Sequence, residues 1–174
     1  MNTISLQYYD SPCGTLRLGS FDGQLCLCDW VDGWHGQATE KRLKHGLKAG
    51  FVEESSAVID AARRQLDAYF HRKRREFELP LLFVGTKFQK KVWAELLRIP
   101  YGTTISYSKM ARNIGLPNAV RAVANANGAN AISIIAPCHR VIGSNGTLTG
   151  YGGGLGTKQF LLELESGLTT YINF

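Results

Sequence analysis

Residues 106–128 read Ser106-Tyr107-Ser108-Lys109-Met110-Ala111-Arg112-Asn113-Ile114-Gly115-Leu116-Pro117-Asn118-Ala119-Val120-Arg121-Ala122-Val123-Ala124-Asn125-Ala126-Asn127-Gly128. Met110, Ala111 and Ile114 fall at helical spacing, so a helix is predicted over 106–114. Gly115-Leu116-Pro117-Asn118 breaks it, since Gly and Pro interrupt helices. A second helix is predicted over 118–128, with Val120, Val123, Ala124 and Asn127 along one side. Two short helices about a tight turn fit a helix-turn-helix; spacing alone fits equally a packed helical hairpin with alanines at the contacts. The second helix carries Arg121 among Ala119, Ala122, Ala124 and Ala126, small residues that let a helix backbone approach a partner closely.

Upstream, Thr86 followed three residues later by Gln89 is a capping box. It opens a predicted helix with Phe88, Val92, Trp93, Leu96 and Leu97 inward, which stops before Pro100. Residues 79–85 read as a linker. In the first half, Ile4, Leu6 and Tyr8 alternate, and turns at 10–14 and 21–24 separate further short strands. Residues 32–50, rich in Gly and Lys, are expected to be a loop with weak helix. Ser55-Ser56 caps a helix to about Arg72, with Val58, Ile59, Ala62, Leu66, Tyr69 and Phe70 inward. The basic run His71 to Arg75 closes it and is read as a solvated helix C-terminus rather than a phosphate-facing patch. After residue 137, Ser144-Asn145-Gly146 predicts a hairpin turn with Leu148-Thr149 returning. Thr157 is expected to cap a last helix that buries Phe160, Leu161 and Leu164 and holds Glu165 near its end.

The expected architecture is therefore an α/β N-terminal domain (a short antiparallel sheet plus helices) over residues 1–85. A mainly helical C-terminal domain with the helix-turn-helix follows over 86–174.

With 44% hydrophobic and 20% charged residues, the 174-residue chain has a globular composition. No apolar run is long enough to span a bilayer, and the start lacks a signal-peptide pattern, so a soluble, cytoplasmic protein is expected. The formal net charge of +6 favours polyanionic partners, nucleic acid first, though charge alone serves solubility as well. Of the four cysteines, Cys26 and Cys28 lie in an apolar run and, on a strand, would share one face. His35 or His45 could join them on zinc, but no second well-spaced ligand pair exists, so no metal is expected. Cys13, Cys26 and Cys28 are read as structural thiols.

Pro137-Cys138-His139-Arg140-Val141 carries the chemistry. A nucleophilic cysteine needs its thiolate, which a histidine or cationic surroundings favour. Adjacent residues do not face each other, so a relay from Cys138 to His139 through one water is the natural geometry, with a carboxylate to orient the imidazole. Glu165 is the candidate orienter.

The second half resembles the O6-alkylguanine-DNA alkyltransferases, or methylated-DNA–protein-cysteine methyltransferases. The resemblance rests on residues 137–141 and on Arg121-Ala122-Val123, Asn130, Gly150-Tyr151, Gly153-Gly154-Leu155, Lys158 and Leu161-Leu162. Phe88-Gln89, Val92-Trp93, Ile99-Pro100, Gly102, Ile105-Ser106-Tyr107 and Ala111 add to it. The first half matches more loosely, through residues 11–14 and 65–70.

The resemblance implies that Cys138 accepts an alkyl group irreversibly from O6-alkylguanine flipped out of double-stranded DNA, one repair per molecule, as a monomer without a cofactor. It implies that His139 and Glu165 make the thiolate and that Asn130 holds the site. Tyr107 would crowd the DNA phosphate and donate a proton to the guanine. Arg121 would fill the gap the base leaves, with Ala119 and Ala122 on the DNA-facing helix. Val141 and Tyr151 would bound the base pocket with Gly152. Gly152 stands where some members have Ser, and 129–133 lacks prolines that some have, so a looser pocket admitting larger alkyl groups is expected. Phe21 and Asp22 stand where some members have zinc ligands. A DNA-binding module without chemistry would lack the reactive cysteine, and a cysteine hydrolase would need an oxyanion hole for which no signature is found.

Overall fold

The computed structural model describes residues 2–167. Its first half is a four-stranded sheet of β1 (Asn2–Ser11), β2 (Gly14–Phe21), β3 (Gln24–Trp30) and β4 (Ala49–Glu53), in the order β3-β2-β1-β4. The β2–β3 turn places Asp22 and Gly23 at positive φ, as a two-residue hairpin loop of matching twist requires. Helix α1 (Gly36–Leu47) packs on one face, where Leu43 meets Ile4, Cys26 and Leu27. Helix α2 (Ala57–Phe70) packs on the other, its N-terminus capped by Ser56 Oγ accepting from Ile59 N–H.

Three expectations for this half are corrected. The sheet is mixed, because β4 runs parallel to β1. Residues 32–50 are largely helix and strand: α1 has no side-chain cap, no acidic first turn and only Thr39 and Leu43 buried, so its sequence pattern is faint. Cys26 and Cys28 do not share a face, since the β2–β3 register shifts between Gly19 and Ser20 and leaves Cys26 as the extra residue of a bulge.

The second half is helical: α3 (Lys87–Leu96), α4 (Tyr107–Asn113), α5 (Val120–Gly128) and α6 (Leu155–Ser166), plus a two-strand parallel pair, β5 (Ile105–Ser106) and β6 (Val141–Ile142). The capping box forms as read: Gln89 N–H donates to Thr86 Oγ1 at 3.0 Å, and Thr86 N–H to Gln89 Oε1 at 2.9 Å. Trp93 is buried and donates to the Ala126 carbonyl at 2.8 Å, fixing α3 against α5. Met110, Ala111 and Ile114 point inward from the α4 region, as do Val123, Ala126 and Asn127 from α5. Residues 148–149 form no strand. Helix α6 begins at Leu155 after Gly154, not under a Thr157 cap; Thr157 Oγ1 instead donates to the Cys13 carbonyl.

The β3 edge joins the halves. Residues 79–85 do not form a free linker: Leu25 N–H donates to Pro80 O, and Leu82 N–H to Leu25 O. Further along the same edge, Cys28 N–H donates to Ala131 O, and Ser133 N–H to Cys28 O. The strand edge, otherwise a row of unpaired groups, is thus covered by the segment that leads into residues 137–141.

Candidate active site

Two tight turns build the approach to Cys138. Ile135 N–H donates to Ser133 O at 2.8 Å across Ile134, which has a φ of 71°. That is a γ-turn of the rare positive-φ kind, and a β-branched residue adopts it only when its surroundings enforce it. Cys138 N–H then donates to Ala136 O at 2.8 Å across Pro137, whose φ of −79° and ψ of 66° form the commoner inverse γ-turn. Asn130 holds the segment: its Nδ2 donates to Ala136 O at 2.9 Å and Ile132 O at 3.2 Å, and its Oδ1 accepts from Ile132 N–H. Prolines at 132 or 133 would remove N–H donors that this arrangement uses. The segment 129–133 is thus pinned by Asn130 and by β3 without prolines.

Residues 138–140 form a single 3-10 turn, which sends His139 and Arg140 toward α6. His139 Nε2 lies 2.7 Å from Glu165 Oε2. Arg140 grips the same carboxylate with two bonds, Nε to Oε1 at 2.8 Å and Nη2 to Oε2 at 3.0 Å, and donates Nη1 to Ile99 O. Tyr69 of α2 donates to Oε2 at 2.7 Å, and Gly102 N–H approaches Oε1 at 3.3 Å. Burial would raise the Glu165 pKa, but the hydrogen bonds of His139 and Arg140 and the charge of Arg140 more than offset it and hold the carboxylate ionised. Burial lowers the His139 pKa, opposed by Glu165, so the imidazole is neutral.

Those two directions assign the tautomer. A neutral imidazole carries one N–H, and an ionised carboxylate only accepts, so the proton sits on Nε2. Nδ1 keeps a lone pair and has no hydrogen-bond partner among the described residues. It is a buried base one residue from the sulfur.

Cys138 is nearly fully buried, and burial pushes its thiol up to about 11, against the opposing hydrogen bond of Asn130 and the nearby charge of Lys158. The resting sulfur is therefore a thiol at neutral pH. It borders a cavity of about 10 Å³ lined by His35, Asn127, Asn130, Ser133, Tyr151 and Gly152 among others. Tyr151 is buried, and its hydroxyl accepts from Trp30 Nε1 at 3.2 Å.

The other residues singled out in the sequence do not line this cavity. Val141 is buried in β6, and its carbonyl accepts from Lys158 Nζ at 2.6 Å. Tyr107, at the start of α4, is half-buried; its hydroxyl accepts from Thr149 Oγ1, and the Lys158 ammonium lies 5.9 Å from its ring centre. Tyr107 does not line the Cys138 cavity in this conformation. Arg121 and Ala122 are exposed on α5, with Ala119 half-exposed at its start.

Four supporting residues went unassigned in the sequence. Arg140 and Tyr69 complete the ring around Glu165. Asn127 donates to the Cys138 carbonyl at 3.3 Å. Lys158 is fully buried, its pKa pulled down to about 8 by burial, and ties Val141 O to Thr149 O. A lysine among apolar helix positions was the available signal. Among the described residues, no cluster of three or more His, Cys, Asp or Glu side chains could hold a metal, and no helix is long and apolar enough to cross a membrane.

Two family models divide the chain: 6-O-methylguanine DNA methyltransferase, ribonuclease-like domain, matches residues 4–83, and 6-O-methylguanine DNA methyltransferase, DNA binding domain, matches residues 87–167. The methylated-DNA–protein-cysteine methyltransferase of Mycobacterium bovis is 58% identical over 162 residues, 93% of this chain and 92% of that protein. The protein of the same name from Methanosarcina barkeri is 47% identical over 161 residues, 91% of this chain and 96% of its own. The crystal structure of Mycobacterium tuberculosis OGT in complex with DNA superposes with a TM-score of 0.79 at 41% identity, covering 95% of this chain and 93% of that one. With its sheet-containing N-terminal domain, its helical C-terminal domain and relatives of this identity along nearly all its length, the chain belongs to the 6-O-methylguanine DNA methyltransferase family.

Proposed function

We propose that this protein repairs double-stranded DNA by taking the alkyl group of O6-alkylguanine onto Cys138, once per molecule. The observation that carries the proposal is the buried line Cys138, His139, Glu165, with a neutral imidazole whose Nδ1 is free to accept a proton. The thiol proton passes to His139 Nδ1 through one water. The sulfur then forms a bond to the alkyl carbon as the carbon–O6 bond breaks, the guanine takes up a proton supplied by Tyr107, and the proton held by His139 returns through water to the Tyr107 phenolate. The product is a thioether that no side chain here can hydrolyse, so the protein is consumed, and no cofactor enters the balance.

A cavity of about 10 Å³ holds roughly one water and no base, so loop 150–154 moves when guanine enters. Tyr151 and Gly152 on that loop, with Val141 behind, then bound the base. We take 1–85 as the supporting domain and 86–174 as the DNA-binding one. Helices α4 and α5 act as a helix-turn-helix, with Ala119 and Ala122 against the DNA and Arg121 in the gap left by the flipped base. Flipping costs a few kcal/mol, which that insertion offsets in part. The protein acts as a monomer in the cytoplasm.

The test is incubation with a duplex carrying one O6-methylguanine, followed by digestion and nucleoside analysis. Wild type restores guanine in a 1:1 ratio to protein. Restoration beyond one equivalent, or restoration by Cys138→Ala, refutes the proposal.

A further inference from the structure

The geometry points to His35, a residue of the N-terminal domain, as a hydrogen-bonding wall of the alkyl-acceptor pocket that contacts the flipped guanine. This inference rests on the reading of Cys138 given above.

His35 precedes α1, in the short loop after β3, and lines the cavity shared with Cys138, Asn130, Ser133, Tyr151 and Gly152. The loop reaches there because two glycines on the opposite segment leave room. A Cβ at Gly152 would lie 2.3 Å from His35 Cε1, and one at Gly153 would lie 2.8 Å from Trp30 Cδ1. The absence of a side chain at 152 therefore does not widen the pocket, because the imidazole fills that space. This corrects the expectation that Gly152 loosens the site.

The polar side chains around the cavity differ in what they have left to offer. Asn130 spends both ends on backbone groups. The Tyr151 hydroxyl is engaged by Trp30 and Ser133. Asn127 Nδ2 is bound to the Cys138 carbonyl, which leaves its Oδ1, an acceptor only, without a partner among the described residues. Both ring nitrogens of His35 are buried without a hydrogen-bond partner among the described residues. An unpartnered buried nitrogen carries a desolvation cost that a bound polar ligand removes. Behind the ring lies Asp29, fully buried, with Oδ1 4.0 Å from His35 Nε2: too long for a hydrogen bond, close enough to orient the imidazole. The edge of a guanine, with acceptors at O6 and N7, is the chemistry such a nitrogen would meet.

The test compares second-order rate constants for methyl transfer from an O6-methylguanine duplex, with thermal melting and affinity for undamaged duplex measured alongside. His35→Leu fills the space without a polar atom, and His35→Gln keeps one. The expected result is a loss of about tenfold for His35→Leu, about one hydrogen bond's worth, with His35→Gln within about threefold of wild type. Melting and duplex affinity stay near wild type. A second pair tests the shared space: Gly152→Ser slows the wild-type background but costs nothing further in His35→Ala. His35→Leu as fast as wild type, or His35→Gln as slow as His35→Leu, overturns the inference while leaving Cys138 as acceptor. Wild type that transfers no methyl overturns the reading of Cys138, and this inference with it.

Discussion

Tyr69 of α2 donates a 2.7 Å hydrogen bond to Glu165 Oε2, the same oxygen that faces His139 Nε2. The N-terminal domain thus reaches the base of the relay, 96 residues away in sequence. Tyr69→Phe removes one donor from a buried carboxylate and keeps the ring. The expected loss is about 1.5–3 kcal/mol of folding stability, the range for hydrogen bonds to charged groups. Urea denaturation checks it, and an unchanged midpoint would show that the bond carries no weight.

His139→Ala deletes the base while leaving Arg140 to hold Glu165. General-base catalysis contributes about 10²–10⁴-fold, so methyl transfer should slow by at least about 10²-fold at neutral pH. Single-turnover kinetics measures this. Because the resting thiol sits near 11, the variant should regain rate as pH rises toward that value, as thiolate forms without help. A flat profile over that range would show that His139 does not supply the thiolate.

Much of this site was legible in the sequence, and what was not has physical causes. Cys138, His139 and Glu165 stood out by chemistry and family resemblance, and the capping box at Thr86 announced α3 in local terms. Helix α1 was hidden because its stability comes from Leu43 packing against the sheet, not from caps. The bulge at Cys26 was hidden because a one-residue register shift leaves no mark in composition. Arg140, Tyr69 and Lys158 gain their roles only when α2 and α6 pack around the 3-10 turn, contacts that spacing along the chain does not encode.

Arg121→Ala should separate base flipping from chemistry. Transfer from a methylated duplex should fall by about tenfold or more, since flipping costs a few kcal/mol and the variant offsets less of it. Transfer from a free O6-alkylguanine base, which needs no flipping, should stay within about twofold of wild type by the same reasoning. Equal losses on both substrates would place Arg121 in the chemical step instead.

Alkaline pH should destabilise the fold. Burial pushes Cys13 and Cys138 up to about 11 and Cys26 up to about 12, from an ordinary value of 9.0. These thiols stay protonated in the fold after the unfolded chain has ionised. Their contribution is complete below pH 9 and is lost as pH rises toward 11 to 12. Lys158, held near 8 in the fold against 10.5, acts in the opposite sense between those values. Burial raises Cys28, Tyr69 and Tyr151 as well, so Lys158 is outnumbered and the melting temperature should fall from pH 9 to 11. Cys26→Ala should flatten the slope. A rising melting temperature would reverse the sign of the argument.

The central claim is that the sulfur of Cys138 keeps the alkyl group. Its most direct test is mass spectrometry of the protein after reaction with an O6-methylguanine duplex. The account predicts one added methyl, about 14 Da, on the peptide containing Cys138 and none on peptides holding Cys13, Cys26 or Cys28, none of which lines the cavity that Cys138 borders. A methyl on another residue, or a repaired duplex beside an unmodified protein, would contradict it.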